Sequence, residues 1–447
     1  MRQHVWTLLS CAVCLVAAIF LVATIDRTAF HGDESQWIGR ARAWFRLVRR
    51  DFDNPFWIDA GMDQPLLVPY IWGLVARASG YDEPSLNLEY DFEKDPETNR
   101  RENRVPSYRL LWRCRLVSTL CGGLACVAAM VIARRPAGPA AGLAAVLLLA
   151  FNPYFGECVH RAMAEGLLSV WLLGAWLVCI WAAAAFRRGH ASRARLWSIA
   201  AGAAGGLATT TKLTGAVALA AVLVTGLVQS IGAVRHRRGA PPDPSGADWR
   251  LAALPSLIAL GAGYLVFIAQ SPATWREPFG FPRGMIVSRS VVASEQQLRY
   301  PEAAVTTPTA RLALVARRLW HDFGTFAVLG HWTRRVWLDA WLFVGGLVWL
   351  LASACGVGVF RSRKAPIAPV AMCARRDREY GSAASDADRA AEARVALIWV
   401  AALLVPVSLT LPLDWDRYYL PPFLAATIVE AVALGIVVRW AARRLRA

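Results

Sequence analysis

The chain has 447 residues, 56% of them hydrophobic and 20 of them tryptophan, with 49 Lys and Arg against 32 Asp and Glu for a formal charge of +17. Soluble domains sit nearer half apolar, whereas a mean hydropathy of +0.37 and repeated apolar runs of about 20 residues describe a polytopic helical membrane protein. The charge does not indicate nucleic acid as a partner, because the arginines cluster in short links between apolar runs, as the positive-inside rule demands.

Val5–Ile25 reads as an uncleaved first span with the N-terminus inside, since no small-residue cleavage site follows it. His31-Gly32-Asp33-Glu34 comes just after, where the chain leaves the bilayer. Trp37, Ile38, Ala41, Trp44, Phe45 and Val48 then recur at helical spacing, flanked by Arg40, Arg42, Arg46, Arg49 and Arg50. This pattern predicts an amphipathic helix lying flat in the headgroup layer; N-capping of that helix is the plainer alternative to a chemical role for Asp33. Residues 26–108 form a long first extracytoplasmic loop, in which 66–78 is too short an apolar stretch to span and reads as interfacial or re-entrant. The acidic tract from Tyr81 to Arg104 reads as a solvated loop.

Further spans are expected at Arg109–Ala133, Ala140–Phe155, Ala162–Phe186, Leu196–Thr210, Leu213–Ala233, Leu251–Ala269, Trp337–Phe360, Val395–Leu411 and Leu420–Val438. That makes about ten crossings in a single all-α membrane domain over 1–447, with both termini and every basic link on the cytoplasmic side. A second long outer segment covers 271–336 and carries a helical patch at Arg311–Phe326; a basic, mobile cytoplasmic link covers 361–394. Gly205-Gly206 and the Thr-rich tip before Lys212 indicate close helix packing. The nine cysteines lie mostly within apolar runs and read as small buried hydrophobes rather than a disulfide framework; Cys158 is placed alone on the outer face.

Few charges fall within the spans, and no set of carboxylates buried mid-span marks a proton or ion relay. Polar residues gather instead on the outer side: Asp33 and Glu34; Glu157, His160, Arg161 and Glu165; Lys212; Trp275 and Arg276; His321 and Asp322; and Asp414 to Tyr419. Their meeting in one pocket is the central expectation. Activating an incoming hydroxyl needs a base, for which Asp33 beside Glu34 is the candidate. Holding a departing phosphate needs cations, for which Arg161, Lys212 and Arg417 are suited. Each has a plainer alternative: the arginines as snorkelling anchors, Glu165 as a carboxylate favoured in a first helical turn, and Tyr418 as an interface aromatic. His31 and His160 leave a divalent metal open as a cofactor, although their spacing matches no metal motif.

The Asp-Glu of the first loop, Arg161-Ala162-Met163-Ala164-Glu165, Gly206-Leu207-Ala208-Thr209-Thr210-Thr211-Lys212 and Asp416-Arg417-Tyr418-Tyr419-Leu420-Pro421 occur in the order seen in the GT-C glycosyltransferases. Together they most resemble the protein O-mannosyltransferase and aminoarabinose-transferase branch. The resemblance implies a polyprenyl-phosphate-linked sugar as donor and inverting transfer at the extracytoplasmic face; the Ala- and Arg-rich composition points to a bacterium and hence to its inner membrane. The acceptor, whether lipid, glycan or protein, is left open. The resemblance also implies that Asp33 activates the acceptor hydroxyl and that Glu165 is the acidic residue of the second outer loop. Asp63-Gln64-Pro65-Leu66 departs from the family, where a basic residue or His often precedes paired prolines. The alternative function is a transporter or flippase moving a lipid-linked glycan without chemistry; it calls for polar residues through the bilayer midplane and related halves, and the sequence offers neither.

Overall fold

The computed structural model describes residues 2–238, 249–328, 337–356 and 372–445. Among these the chain is helical throughout, with one isolated antiparallel β-bridge between Ala304 and Leu413. Each of the ten apolar stretches expected to span is helical. Among the described residues six helices are long and apolar enough to cross a membrane, or seven if the bent pair Pro139–Ala150 and Pro153–His160 counts as one span. The other three stretches, Ala191–Thr211, Leu254–Ala269 and Leu338–Ala354, are shorter or less apolar. The protein is therefore a multi-pass membrane protein.

The bundle is held by small residues that let helices meet backbone to backbone. A Cβ on Gly206 would lie 2.5 Å from the Gly263 carbonyl, and one on Gly202 would overlap Ala259. Ala191–Thr211 is thereby wedged against Trp249–Ala269, which accounts for the glycines noted before Lys212. At one end of the bundle the basic links meet one another: Arg135 pairs with Glu392, Arg187 with Asp388, and Arg439 lies 3.3 Å from the point where a Cβ of Gly138 would stand. At the other end residues of 26–108 meet residues of 271–328: Asp63 pairs with Arg289, and Trp57 and Leu66 pack with Phe281 and Met285.

Several boundaries differ from expectation for identifiable reasons. The span expected at Ala140–Phe155 bends by 65°, where Pro153 follows Asn152, whose side chain caps the new helix by accepting from the Phe155 N–H at 3.2 Å. The link expected to be mobile at 361–394 is helical from Met372, continuous with the span to Thr410, because its alanine-rich sequence is strongly helix-forming. Residues 361–371 and the Pro-rich turn at 241–244 lie outside the described residues. The last helix buries Glu430, at 4% exposure, a mid-span carboxylate that the sequence reading did not count. Among the described residues eight cysteines are free, and Cys158 is buried.

The amphipathic helix of the first loop is corrected most. It is two short helices, Gly32–Gly39 and Arg42–Val48, turned at Arg40-Ala41. Trp37, Ile38 and Ala41 do not face lipid but pack with Val68, Trp72 and Leu86 in a core of their own. Gly73 permits this contact, since a Cβ there would collide with Trp44. The arginines are equally occupied: Arg40 pairs with Asp63 at 2.5 Å and Glu89 at 2.9 Å, Arg46 and Arg49 share Glu83, and Arg42 donates to the carbonyls of Gly39, Leu86 and Asn87. The acidic tract is thus the counter-charge of the arginine face, not a free loop. Leu67–Ala78, the stretch read as interfacial or re-entrant, is a 12-residue helix within this cap.

Candidate active site

His31, not Asp33, caps the Gly32–Gly39 helix. Its Nδ1 accepts from the Asp33 N–H at 3.1 Å, while Glu34 reaches back to accept from the His31 N–H at 3.0 Å, a reciprocal capping box. Burial, helped by the nearby Arg161 and Arg417 charges, pushes the His31 imidazole down to about 4. His31 is therefore neutral at physiological pH, its Nε2 carries the proton, and its 3.8 Å approach to the Asp33 carboxylate is no ion pair. The unfolded chain, with His31 near 6.5, binds more protons than the folded one as pH falls from there toward about 4. Across that window stability falls as pH falls. His31→Asn keeps a capping acceptor but removes this titration, so its unfolding temperature is expected to depend less on pH over that window. His31→Ala is expected to cost about 1 kcal/mol at neutral pH as well.

With its cap supplied by His31, the Asp33 side chain is directed elsewhere. It is 8% exposed, contacts the Arg417 guanidinium, and lines a cavity of about 650 Å³. Glu34 points the opposite way and is fully buried. Arg115, from the helix Tyr108–Ala137, grips it through two bonds of 2.8 and 2.7 Å, and it also accepts from the Ala162 N–H at 2.8 Å. With the His31 N–H, four donors surround one carboxylate, which is its acceptor capacity. Arg115 further donates to the carbonyls of Thr28 and Ala29. Glu34 and Arg115 therefore tie the start of the outer loop to the bundle, directly behind Asp33.

The opposite walls of the cavity come from distant parts of the chain. Glu165 opens the helix Glu165–Arg187; its Oε1 accepts from Lys212 Nζ at 2.8 Å, and its buried Oε2 has no hydrogen-bond partner among the described residues. Lys212 sits at the hairpin tip expected for it and lies 5.8 Å from the Tyr418 ring centroid. Arg161 follows the bend and pairs with Glu157, leaving its Nε without a partner. Arg417 is stacked on Trp415 at 4.8 Å. Burial raises the nearby Asp416 carboxyl above its ordinary value.

His31, Asp33, Arg161, Glu165, Lys212, Arg417 and Tyr418 thus share one cavity. Glu34 and His160 do not line it. His160 is held between Thr24 and Thr28, at 3.3 and 3.0 Å, in a separate hollow of about 460 Å³. Trp275 and Arg276 also lie apart, against Phe52 and Asp53. The two histidines do not converge, and among the described residues no three His, Cys, Asp or Glu side chains are grouped to hold a metal. The donor set does not fit a divalent ion.

Sequence reasoning missed a further wall. Arg289, Gln296 and Arg299 of the helix Gly280–Arg299 line the cavity with Arg40 and Asp63. Asp63 is bridged by Arg40 and by Arg289 at 2.8 Å, and those guanidiniums, opposed by burial, hold its carboxyl below the ordinary value. The spacing 289, 296, 299 places these residues on one helical face, a signal present in the sequence but indistinguishable there from a solvated stripe.

Residues 109–238 match the sequence family described as dolichyl-phosphate-mannose-protein mannosyltransferase. No curated protein matches the chain. The oligosaccharyltransferase AglB of Archaeoglobus fulgidus, solved with an inhibitory peptide and a dolichol-phosphate, superimposes with a TM-score of 0.50 at 12% identity, covering 98% of this chain and 51% of that one. ArnT from Cupriavidus metallidurans bound to undecaprenyl phosphate gives 0.49 at 19% identity over 96% of this chain and 60% of that one. The S. cerevisiae protein O-mannosyltransferase Pmt1-Pmt2 complex bound to the sugar donor gives 0.42 at 16% identity, over 59% and 33%. The chain spans between a third and three fifths of the length of these structures. Its fold is shared with AglB. Within that fold the sequence match, confined to 109–238, is to the protein mannosyltransferase branch.

Proposed function

We propose that the chain is a membrane glycosyltransferase that moves a monosaccharide from a polyprenyl-phosphate-linked donor to an acceptor hydroxyl at the extracytoplasmic face of a bacterial inner membrane. The observation that carries this reading is the meeting of Asp33 with Lys212, Arg161 and Arg417, from four separate stretches, in one cavity at the end of the bundle away from the basic links.

In the reaction, Asp33 takes the proton of the acceptor hydroxyl as its oxygen attacks the anomeric carbon. The bond from that carbon to the phosphate oxygen breaks, its electron pair leaves on the polyprenyl phosphate, and the anomeric configuration inverts. Lys212, Arg161 and Arg417 hold the charge that grows on the phosphate, Arg as a fork and Lys as a point charge. Glu165 orients Lys212 at 2.8 Å and offers its free Oε2 to a sugar hydroxyl. Tyr418, beside both Lys212 and Arg417, forms an aromatic edge for the sugar. The acceptor is a lipid, glycan or protein hydroxyl, and the donor's isoprenoid lies among membrane lipids. Glu34 serves as the clamp that sets Asp33.

The test is transfer of label from polyprenyl-phosphate hexoses and pentoses by the protein in nanodiscs, with envelope glycolipids and glycoproteins of a deletion strain as acceptors. Transfer by the wild type is expected; lipid translocation without transfer would overturn the reading in favour of a flippase. Lys212→Ala is expected to raise the donor KM about ten- to a hundredfold, the range of a lost charge-assisted contact. It leaves Glu165 buried without its cation, so Lys212→Arg should recover part of the loss.

A further inference from the structure

The turn that delivers Arg417 and Tyr418 to the cavity has little structure of its own. Asp416–Tyr419 is a single 3-10 turn between the end of one helix at Thr410 and the start of another at Leu420. It is fastened from outside by the second outer segment. Asp414 N–H donates to the Ala303 carbonyl at 2.8 Å, and the Pro412 carbonyl accepts from Val305 N–H at 3.0 Å and from the Gln297 side chain at 2.8 Å.

At the centre of this fastening is Arg318. The helix Pro308–Arg317 passes into a π-helical turn, Arg318–Asp322, closed by Phe323 N–H donating to the Arg318 carbonyl at 2.8 Å. Such widened turns alter the direction in which side chains leave a helix. From it the Arg318 guanidinium reaches Asp414 through two parallel bonds of 2.9 and 2.8 Å, the fork geometry that Lys cannot reproduce. The same guanidinium is 3.2 Å from Asp322 and 3.7 Å from Asp416. Tyr419, fully buried, donates its hydroxyl to Asp414 at 2.8 Å.

The arrangement gathers three carboxylates within reach of one cation, immediately beside Arg417. Arg318 pairs with Asp414 and Asp416, whereas Asp322 is shared with Arg317; Asp414 and Asp416 precede Arg417 by three residues and by one along the same turn, so that without Arg318 their charges are left beside it. An Arg417 drawn to those carboxylates is withdrawn from Asp33 and from a departing phosphate.

We propose that Arg318 is a positioning residue, which keeps Arg417 available to the donor phosphate by neutralising Asp414 and Asp416 and fixing the turn between them. This rests on the glycosyltransferase reading. Arg318 itself does not line the cavity, so its effect is expected in donor affinity rather than in the chemical step.

The test uses the full-length protein in nanodiscs, with donor KM from labelled transfer and with polyprenyl phosphate alone as a binding probe. Arg318→Ala is expected to raise donor KM and weaken polyprenyl phosphate binding about ten- to a hundredfold, with a smaller change in kcat. Arg318→Lys, which keeps the charge and loses the fork, is expected to fall between. Combining Arg318→Ala with Asp414→Asn and Asp416→Asn removes the competing carboxylates and is expected to restore most of the binding. A donor KM unchanged in Arg318→Ala, or a triple variant no better than Arg318→Ala, overturns the proposal. Should Arg318→Ala not assemble, Arg318→Lys decides, and a wild-type KM in that variant overturns it. Wild-type protein that neither binds polyprenyl phosphate nor transfers sugar would instead sink the glycosyltransferase reading.

Discussion

Asp33→Asn is expected to lower the rate of sugar transfer by about 10²- to 10⁴-fold, the contribution of a positioned general base. The substitution keeps the shape of the side chain and leaves the backbone contacts that hold it intact: the His31 cap on its N–H and the Glu34 box behind it. The loss should therefore appear in kcat with the protein inserted and stable. Donor binding has a definite expectation too. Asp33 contacts Arg417, so a donor phosphate would compete with Asp33 for that guanidinium. Neutralising Asp33 removes the competitor, and polyprenyl phosphate should bind as tightly as in the wild type or more so. Slower transfer with weakened donor binding would place Asp33 among the donor ligands and cost it the role of base. Unchanged transfer would falsify the assignment altogether.

The helical stretches and several of the residues that line the cavity were legible in the sequence, but their pairings were not. Apolar length and arginine placement located the ten stretches, because the bilayer imposes both on any chain that crosses it. Asp33, Arg161, Glu165, Lys212, Arg417 and Tyr418 were recognisable as chemistry-bearing residues at the ends of spans, and they share one cavity. Sequence gives depth and not azimuth, so it could not divide these charges into partners. Asp33 and Glu34, adjacent in sequence, looked equivalent. Only the direction of each side chain separates them, one into the cavity and the other onto Arg115. The arginine face of the first loop was misread for a related reason: an amphipathic pattern is the same whether its counter-charges are lipid phosphates or the acidic tract, here Glu83 and Glu89. The kink at Arg40-Ala41 follows Gly39, the last residue of the first helix, and its direction is set by tertiary packing on Trp72 and Leu86.

The same division between the two carboxylates makes the second large prediction. Glu34→Ala leaves Arg115, itself 6% exposed, without its carboxylate. Breaking a buried pair from one side costs about 3–5 kcal/mol, so Glu34→Ala and Arg115→Ala should each lower the unfolding temperature in nanodiscs markedly. Replacing both, as Glu34→Met with Arg115→Met, leaves no uncompensated charge and is expected to be more stable than either single change. Stability and activity should then part company. Arg115 also fixes the Thr28 and Ala29 carbonyls, and Glu34 fixes the His31 and Ala162 N–H groups. The double variant, though folded, loses the contacts that aim Asp33 and should transfer sugar slowly. Glu34→Gln discriminates the roles. As a member of the clamp it should be destabilised, with activity falling in step. If Glu34 were itself a base, the activity of Glu34→Gln would fall far more than its stability.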